Sequence, residues 1–398
     1  MPWHETHVMD ERMNFIVDWQ REELSTAALC RQYGVSRKTG YKWIERFEAF
    51  GPEGLQDRSS AAHQHPNEVA AEIAEAVIGV RAAHPSWGPK KIKAWLSMKQ
   101  PQTAWPAQST IAELLDRRGL VRHRRKRPHV PPQGSPLSAA LCANDVWGID
   151  FKGWFRTGDG ARCEPLSLSD LASRYVLRLQ ALAGIDGEQV WPILETAFFE
   201  FGLPEVIRSD NGPPFASTAA GGLSRLSVRL IKAGVMPERI KPGRPQQNGR
   251  HERMHLTLKQ ETASPPAQTL RAQQRRFDAF RTMFNEERPH EALGQTPPVQ
   301  HYDPPPRPYS GRLREPAYAD DQIVRRVRSN GEIKWRGALL FLSETLIGEP
   351  VGLRETEEAL FEVRYGPIVL GSIDQACKFT ARKAAPNVGL TRKPQPRG

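Results

Sequence analysis

Apolar positions along the first third of this chain recur three and four residues apart, and from Asn144 onward they begin to alternate. Residues 9–50 therefore read as helical. Within them "LSTAALCRQYGVSRKTGYKWIERF" (Leu24–Phe47) has the layout of a helix-turn-helix. Ser25 caps a first helix, Gly34-Val35 makes the turn, Ser36 caps a second helix, and Trp43, Ile44 and Phe47 form its apolar face. Cys30 is the small residue expected where the two helices cross, and Gly40 weakens the second helix by roughly 1 kcal/mol relative to alanine. After the linker "GPEGLQDRSSAAHQHP" (Gly51–Pro66), Val69, Ile73, Val77 and Val80 mark a further helical face. "WGPKKIKAWL" (Trp87–Leu96) and "AQSTIAELLDRRGLV" (Ala107–Val121) give two more helices, the last with Ile111, Leu114 and Leu115 inward, so this region resembles a second helix-turn-helix unit.

The alternating part starts with "NDVWGIDFKGWFR", in which Trp147, Ile149 and Phe151 point one way and Val146, Gly148, Asp150 and Lys152 the other. "TGDG" (Thr157–Gly160) reads as a hairpin turn, and "ARCEPLSLSD" and "SRYVLRLQAL" as two further strands of a meander. An amphipathic helix follows over Gly187–Gly202, then a short strand leading to Asp210, a helix near Leu223–Ala233, a strand near Val235–Ile240 and a helix from about Gln247 to Glu261. Phe277–Pro298 reads as helix and then extended chain. Beyond it, short alternating strands broken by Asn-Gly, Gly-Glu-Pro and Tyr-Gly-Pro turns predict a small β-barrel. The predicted organisation is multidomain: a helix-turn-helix domain over 1–58, a second such unit over 66–127, a linker over 128–143, an α/β core over 144–300, the small β-barrel over 318–376, and a basic tail over 377–398.

Composition narrows the function classes. With 398 residues, 39% hydrophobic and 25% charged, the chain can build several packed cores. A net charge of +11 favours a polyanionic partner, and nucleic acid is the commonest. The charge is clumped in "RRGLVRHRRKR" (Arg117–Arg127), so Arg122, Arg124, Arg125, Lys126 and Arg127 are candidate phosphate contacts. Ser36, Arg37, Lys38, Thr39, Tyr41 and Lys42 open the second helix with the side chains a DNA major groove calls for, and Gln108, Ser109 and Thr110 hold the equivalent place in the second unit. Four scattered cysteines without a CxxC argue against a zinc finger or a disulfide framework. No apolar run reaches membrane length, so the expected setting is cytoplasmic and nucleoid-associated.

Three carboxylates stand out. Asp150 lies mid-strand between Ile149 and Phe151, where aspartate is unfavoured and, if buried, costly without a charge or metal beside it. Asp210 ends a second apolar run, followed by Asn211-Gly212, a pair that readily turns with positive φ. If the two strands are parallel neighbours, both carboxylates emerge at one sheet edge, where ligands gather in α/β sheets. Glu252 lies on the predicted helix of "PQQNGRHERMHLTLKQE", with His255, Leu256 and Lys259 at i+3, i+4 and i+7. Taken singly, each acid also fits a plain role: a solvent-facing strand residue near Lys152, a turn, a surface acid paired with Arg or Lys.

Together, "WGIDF", "SDNGPPF" and "PQQNGRHERMHLTLK" resemble the motifs of DDE transposases and retroviral-type integrases, and the whole chain is similar to bacterial insertion-sequence transposases. That likeness includes "VSRKTGYKWIERF" in front, "GLQDRSS" as hinge and "FNEERPHEALGQTPP" behind the core. The resemblance implies a ribonuclease-H-like core. It also implies a catalytic, metal-binding triad of Asp150, Asp210 and Glu252, two Mg²⁺ ions (with Mn²⁺ as substitute), and Lys259 on DNA. Asn211, Gly212, Asn248 and Gly249 would support the site. It further implies binding of double-stranded DNA at terminal inverted repeats, metal-dependent strand cleavage and strand transfer, and a homo-oligomer, dimer or higher. The chain departs from the family in two respects. Asp210 and Glu252 have 41 residues between them, a few more than usual, with "STAAGGLSR" as the loop expected to absorb the excess. The histidine–cysteine zinc domain of retroviral integrases is replaced by helix-turn-helix units. The rivals are a non-catalytic DNA-binding regulator or decayed transposase, and a ribonuclease-H-like nuclease that cuts without joining.

Overall fold

The computed structural model describes residues 7–57, 69–121, 137–241, 249–304, 307–356 and 360–382. The chain divides into two compact units, residues 1–68 and 69–398. In the first, helices α1 (Val8–Gln20), α2 (Thr26–Gln32) and α3 (Arg37–Phe50) surround a core of Phe15, Ile16, Leu29, Cys30, Trp43, Ile44 and Leu55. The expected caps form: Ser25 Oγ accepts from the Ala28 N–H at 3.3 Å, and Ser36 Oγ from the Thr39 N–H at 3.2 Å. Gly40 is buried at the α2–α3 crossing, where a Cβ would fall 2.4 Å from Cys30 Sγ. Close approach of the helices is what this glycine allows, in exchange for its weak helix propensity.

The second unit opens with α4 (Ala71–Ala83), α5 (Pro89–Lys99) and α6 (Gln108–Arg117), packed around Val77, Val80, Trp87, Ile92, Leu96, Ile111 and Leu115. Its central sheet is built from β1 (Val146–Phe151), β2 (Phe155–Arg156), β3 (Arg162–Asp170), β4 (Val176–Leu182), β5 (Val206–Ser209) and β6 (Met236–Arg239). The order is β2-β3-β1-β5-β6, with β4 also on β3. The meander pairs antiparallel, whereas β1–β5 and β5–β6 are parallel. Helix α7 (Gly187–Phe201) covers one face, where Trp147, Ile149, Leu166 and Leu168 meet Val190, Leu194 and Phe198. The other face is covered by α9 (Gly249–Thr262) and α10 (Leu270–Glu286) through Met254, Leu258, Phe277 and Phe280. Helix α10 begins seven residues before Phe277, where the sequence pattern had placed its start.

Between β5 and β6 lies α8 (Arg225–Lys232). Residues 217–225 are not the slack loop expected of "STAAGGLSR". Ala220–Gly222 form a short 3-10 turn, and Ala220, Leu223 and Val228 are buried in the core of the C-terminal domain. The extra residues thus make a docking surface.

That C-terminal domain corrects the expected barrel. Strands β10 (Pro350–Glu355), β11 (Phe361–Tyr365), β12 (Ile368–Ile373) and β13 (Phe379–Ala381) join β7 (Ile323–Arg326) in an open antiparallel sheet of order β13-β12-β11-β10-β7. Strands β8 (Glu332–Trp335) and β9 (Ala338–Phe341) form a separate hairpin. The two pieces share an apolar core through Ile333, Trp335, Leu340, Val351 and Val363, but no hydrogen-bonded ladder among the described residues closes them into a barrel.

Candidate active site

Parallel pairing sets the site. Val146, Trp147 and Gly148 of β1 lie opposite Val206, Ile207 and Arg208 of β5. The paired stretch stops there: Asp150 lies two places further along β1, and Asp210 directly follows Ser209, the last residue of β5. Adjacent strands lie roughly 4.8 Å apart, and both residues stand at the same end of this parallel pair. A buried ion pair anchors β5 to β6: Arg208 Nε donates to Glu238 Oε2 at 2.7 Å, directly across the ladder.

Asp210 closes its own turn. Its Oδ1 accepts from the Gly212 N–H at 3.1 Å, and the Asn211 side chain donates to the Ile240 carbonyl at 2.8 Å, tying the loop to the end of β6. Neither Asn211 nor Gly212 has positive φ, so the turn depends on the Asp210 carboxylate and not on the left-handed backbone that Asn-Gly suggested.

Helix α9 packs across β1 and β3 by way of two buried rings. His251 Nε2 and His255 Nε2 lie 2.8 and 2.6 Å from the same Ser167 Oγ, and Ser169 Oγ lies 3.4 Å from His251 Nδ1. Opposite them β1 carries Gly148, where a Cβ would stand 2.7 Å from His251 Nδ1; any larger residue would push the helix off the sheet. Burial drives both imidazoles toward neutrality. His251 falls to about 4, and His255 is pushed down further, with the His251 ring and the Lys152 ammonium adding to the effect. His255 Nδ1 lies 3.9 Å from Asp150 Oδ2. Arg250 donates to the Leu171 carbonyl at 2.6 Å and fixes the start of the helix. Sequence reasoning noted His255 only by its spacing and missed Ser167 and His251. The available signal was the pair of histidines at i and i+4, flanking Glu252 on a helix placed over a sheet.

Glu252 itself is exposed in the first turn of α9 and forms no ion pair with a described residue. Among the described residues, no three His, Cys, Asp or Glu side chains gather closely enough to hold a metal ion. The structure therefore places Asp150 in β1 and Asp210 just past the end of its parallel neighbour β5, with the helix of Glu252 over the same sheet and no closed cluster of the three among the described residues. Lys259 is exposed on α9 and Gly249 begins it, whereas Asn248 lies outside the described residues.

Of the expected DNA contacts, Arg37, Lys38, Tyr41 and Lys42 are exposed along the start of α3, and Thr39 is half-buried. Ser36 is engaged in its cap. Gln108 and Ser109 are exposed at the start of α6, beside half-buried Thr110. Arg122, Arg124, Arg125, Lys126 and Arg127 lie outside the described residues. No helix among the described residues is long and apolar enough to cross a membrane.

Residues 140–245 and 233–298 match Integrase core domain families, residues 11–63 a Helix-turn-helix domain family, and residues 39–115 a Homeodomain-like domain family. The chain thus carries an integrase core preceded by helix-turn-helix domains. It is 30% identical to the insertion element IS476 uncharacterized 39.2 kDa protein of Xanthomonas euvesicatoria, over 45% of this chain and 50% of that protein. It is 31% identical to the insertion element IS407 uncharacterized 31.7 kDa protein of Burkholderia multivorans, over 45% of this chain and 63% of that protein. The chain therefore spans one half to about two thirds of the length of these relatives. Among solved structures it is similar to the HTLV-2 integrase catalytic core domain in complex with magnesium, at 16% identity and a TM-score of 0.33, covering 41% of this chain and 99% of that one.

Proposed function

We propose that this chain, with its integrase core and helix-turn-helix domains, is a DDE-type DNA transposase that binds the terminal inverted repeats of an insertion sequence and cuts and joins their strands. The observation that supports the reading is the parallel pairing of β1 with β5, whose register, if continued, would set Asp150 opposite Asp210, with Glu252 in the first turn of α9.

Asp150, Asp210 and Glu252 would hold the cations, two Mg²⁺ with Mn²⁺ as a substitute. The donor chemistry suits these hard ions, because every donor is a carboxylate oxygen. The neighbouring imidazoles keep their Nε2 atoms on Ser167 Oγ, within the protein. Bound there, the ions would supply a lowered pKa for the attacking hydroxyl and charge neutralisation at the leaving oxygen. The chain's part is positioning. The β1–β5 pairing would set the two aspartates, and the Ser167–histidine contacts hold α9, from whose first turn Glu252 would turn toward them. Two turns along, Lys259 faces the same way and would steady a phosphate. Arg37, Lys38, Tyr41 and Lys42 would read a major groove, and Arg122 to Arg127 would grip backbone. Holding two element ends together needs at least a dimer, and the work would be done at the nucleoid of a bacterial cell.

The test incubates the full chain with a labelled oligonucleotide carrying the terminal repeat and a plasmid target, in Mg²⁺ or EDTA, as wild type and Asp210→Asn. Joined product that needs the metal and vanishes in the variant supports the reading. Cleavage without joining would favour a nuclease, and repeat binding without strand chemistry a DNA-binding regulator.

A further inference from the structure

The helical unit α4–α6 is fastened to the α9–α10 face of the core by contacts the site does not use. Its apolar core takes in Met283 of α10. Ser86 Oγ donates to Glu261 Oε1 at 2.5 Å, and Arg288 Nη1 donates to that same oxygen at 2.9 Å, with the Arg288 side chain only 8% exposed. The Lys91 ammonium donates to the Pro289 carbonyl, and its burial, with the Arg288 charge nearby, draws it down to about 8. Leu115, Leu120 and Val121 line one cleft together with Phe280 and Met283, so α6 turns its carboxyl end to the core. Its other end, with Gln108 and Ser109, faces solvent. Glu261 also lies on the helix that carries Glu252, nine positions further along, which is about 14 Å at 1.5 Å per residue.

We infer that this unit is a ruler: a DNA-reading element fixed to the catalytic body so that a base step held at the start of α6 lies at a set distance from the Asp150–Asp210 edge. The partner is duplex DNA just inside the reacting end, and this rests on the transposase reading. A unit joined only by a flexible linker would tolerate a spread of distances, whereas a half-buried Ser86–Glu261–Arg288 contact to α9 does not. The expected consequence is positional: the latch sets where the strand is cut and leaves affinity for the repeat largely unchanged.

The test uses the full chain with Cys142→Ser and Cys377→Ser, spin-labelled at Ser109→Cys and Lys259→Cys, and reads the label-to-label distance distribution by double electron–electron resonance. The intact latch should give one narrow distribution. Ser86→Ala with Arg288→Met should widen it several-fold, and the milder Ser86→Ala with Glu261→Gln should widen it less, which guards against simple misfolding. A broad distribution with the latch intact, or an unchanged width in both variants, overturns the inference. Mapping cut positions on the repeat, with unlabelled chains that keep Ser109 and Lys259 and carry only the latch substitutions, then separates ruler from glue. Cuts spread over neighbouring nucleotides in the widened variants support the ruler, and a single sharp position in those variants sinks it. A narrow distribution in a wild-type chain that cuts no DNA would instead overturn the transposase reading, and the ruler with it.

Discussion

Replacing Ser167 by alanine removes a hydroxyl that both rings of α9 and the β1 backbone approach. Its Oγ lies 2.6 Å from His255 Nε2, 2.8 Å from His251 Nε2 and 3.3 Å from the Asp150 carbonyl. Both rings are buried. Without Oγ, His255 Nε2 loses its short contact, whereas His251 keeps a backbone hydrogen bond at residue 167 and the marginal 3.4 Å approach of Ser169 Oγ to its other nitrogen. A buried polar group left unmatched costs about 1–3 kcal/mol, and His255 is the ring left in that state, so the loss is of that order. The void left by one oxygen is too small to admit a replacement water. Some recovery through a shift of α9 places the expected loss near the lower half of that range. Ser169→Ala serves as the control: it removes only a 3.4 Å contact, beyond good hydrogen-bond geometry, and should cost less than about 1 kcal/mol. Urea unfolding of residues 69–398 within the full chain, followed by tryptophan fluorescence at constant m-value, measures both, and hydrogen exchange along α9 localises the effect. A Ser167→Ala loss no larger than that of Ser169→Ala would refute the argument that this hydroxyl holds the helix.

Other perturbations have equally definite outcomes. Gly40→Ala should destabilise the N-terminal unit even though alanine favours helix by about 1 kcal/mol, because the new Cβ would meet Cys30 Sγ at 2.4 Å and Phe15 Cζ at 3.1 Å, an overpacking cost of about 1–3 kcal/mol; faster amide exchange in α2 and α3 would report it. His290 is drawn down to about 3, first by burial and then by Lys91 and Arg288. The unfolded chain binds its proton near the ordinary value of 6.5 and the folded chain does not, so stability should fall as pH drops from about 6.5 toward 3, and His290→Leu should flatten that limb in urea titrations at stepped pH. Arg37→Ala or Lys38→Ala should each cost about 1–3 kcal/mol of repeat affinity and relax base preference at one position in repeat-binding titrations, whereas an equal loss on every sequence would take that side chain out of the groove readers.

Much of the site was legible because its parts announce themselves locally. The strands around Asp150 and Asp210 show as short apolar runs, and alternation correctly set Trp147, Ile149 and Phe151 on one face and Gly148 with Asp150 on the other. Ser25 and Ser36 signalled their helix starts through capping chemistry alone. What escaped depends on contacts distant in sequence. Ser167 meets His251 and His255 across 84 and 88 positions, and nothing near any of the three indicates that they are buried together. The run "STAAGGLSR" read as slack because small residues serve a loose loop and a tight docking surface equally well, and only its burial against the C-terminal sheet tells them apart. The last domain showed its strands, but closure depends on pairing between strands far apart in order, and β8–β9 pair only with each other. Asn211-Gly212 turned where expected by a different device, the Asp210 carboxylate on the Gly212 amide.

The central claim is that Asp150, Asp210 and Glu252 act as one cation site. Titrating Mn²⁺ into the full chain and counting bound ion by electron paramagnetic resonance tests it without waiting on strand chemistry. The wild-type chain should take up Mn²⁺, with repeat DNA strengthening uptake. Asp150→Asn, Asp210→Asn and Glu252→Gln should each weaken it by a factor of ten or more, about 1.4 kcal/mol. Uptake that survives all three substitutions, or no uptake by the wild-type chain even with DNA bound, would contradict the account.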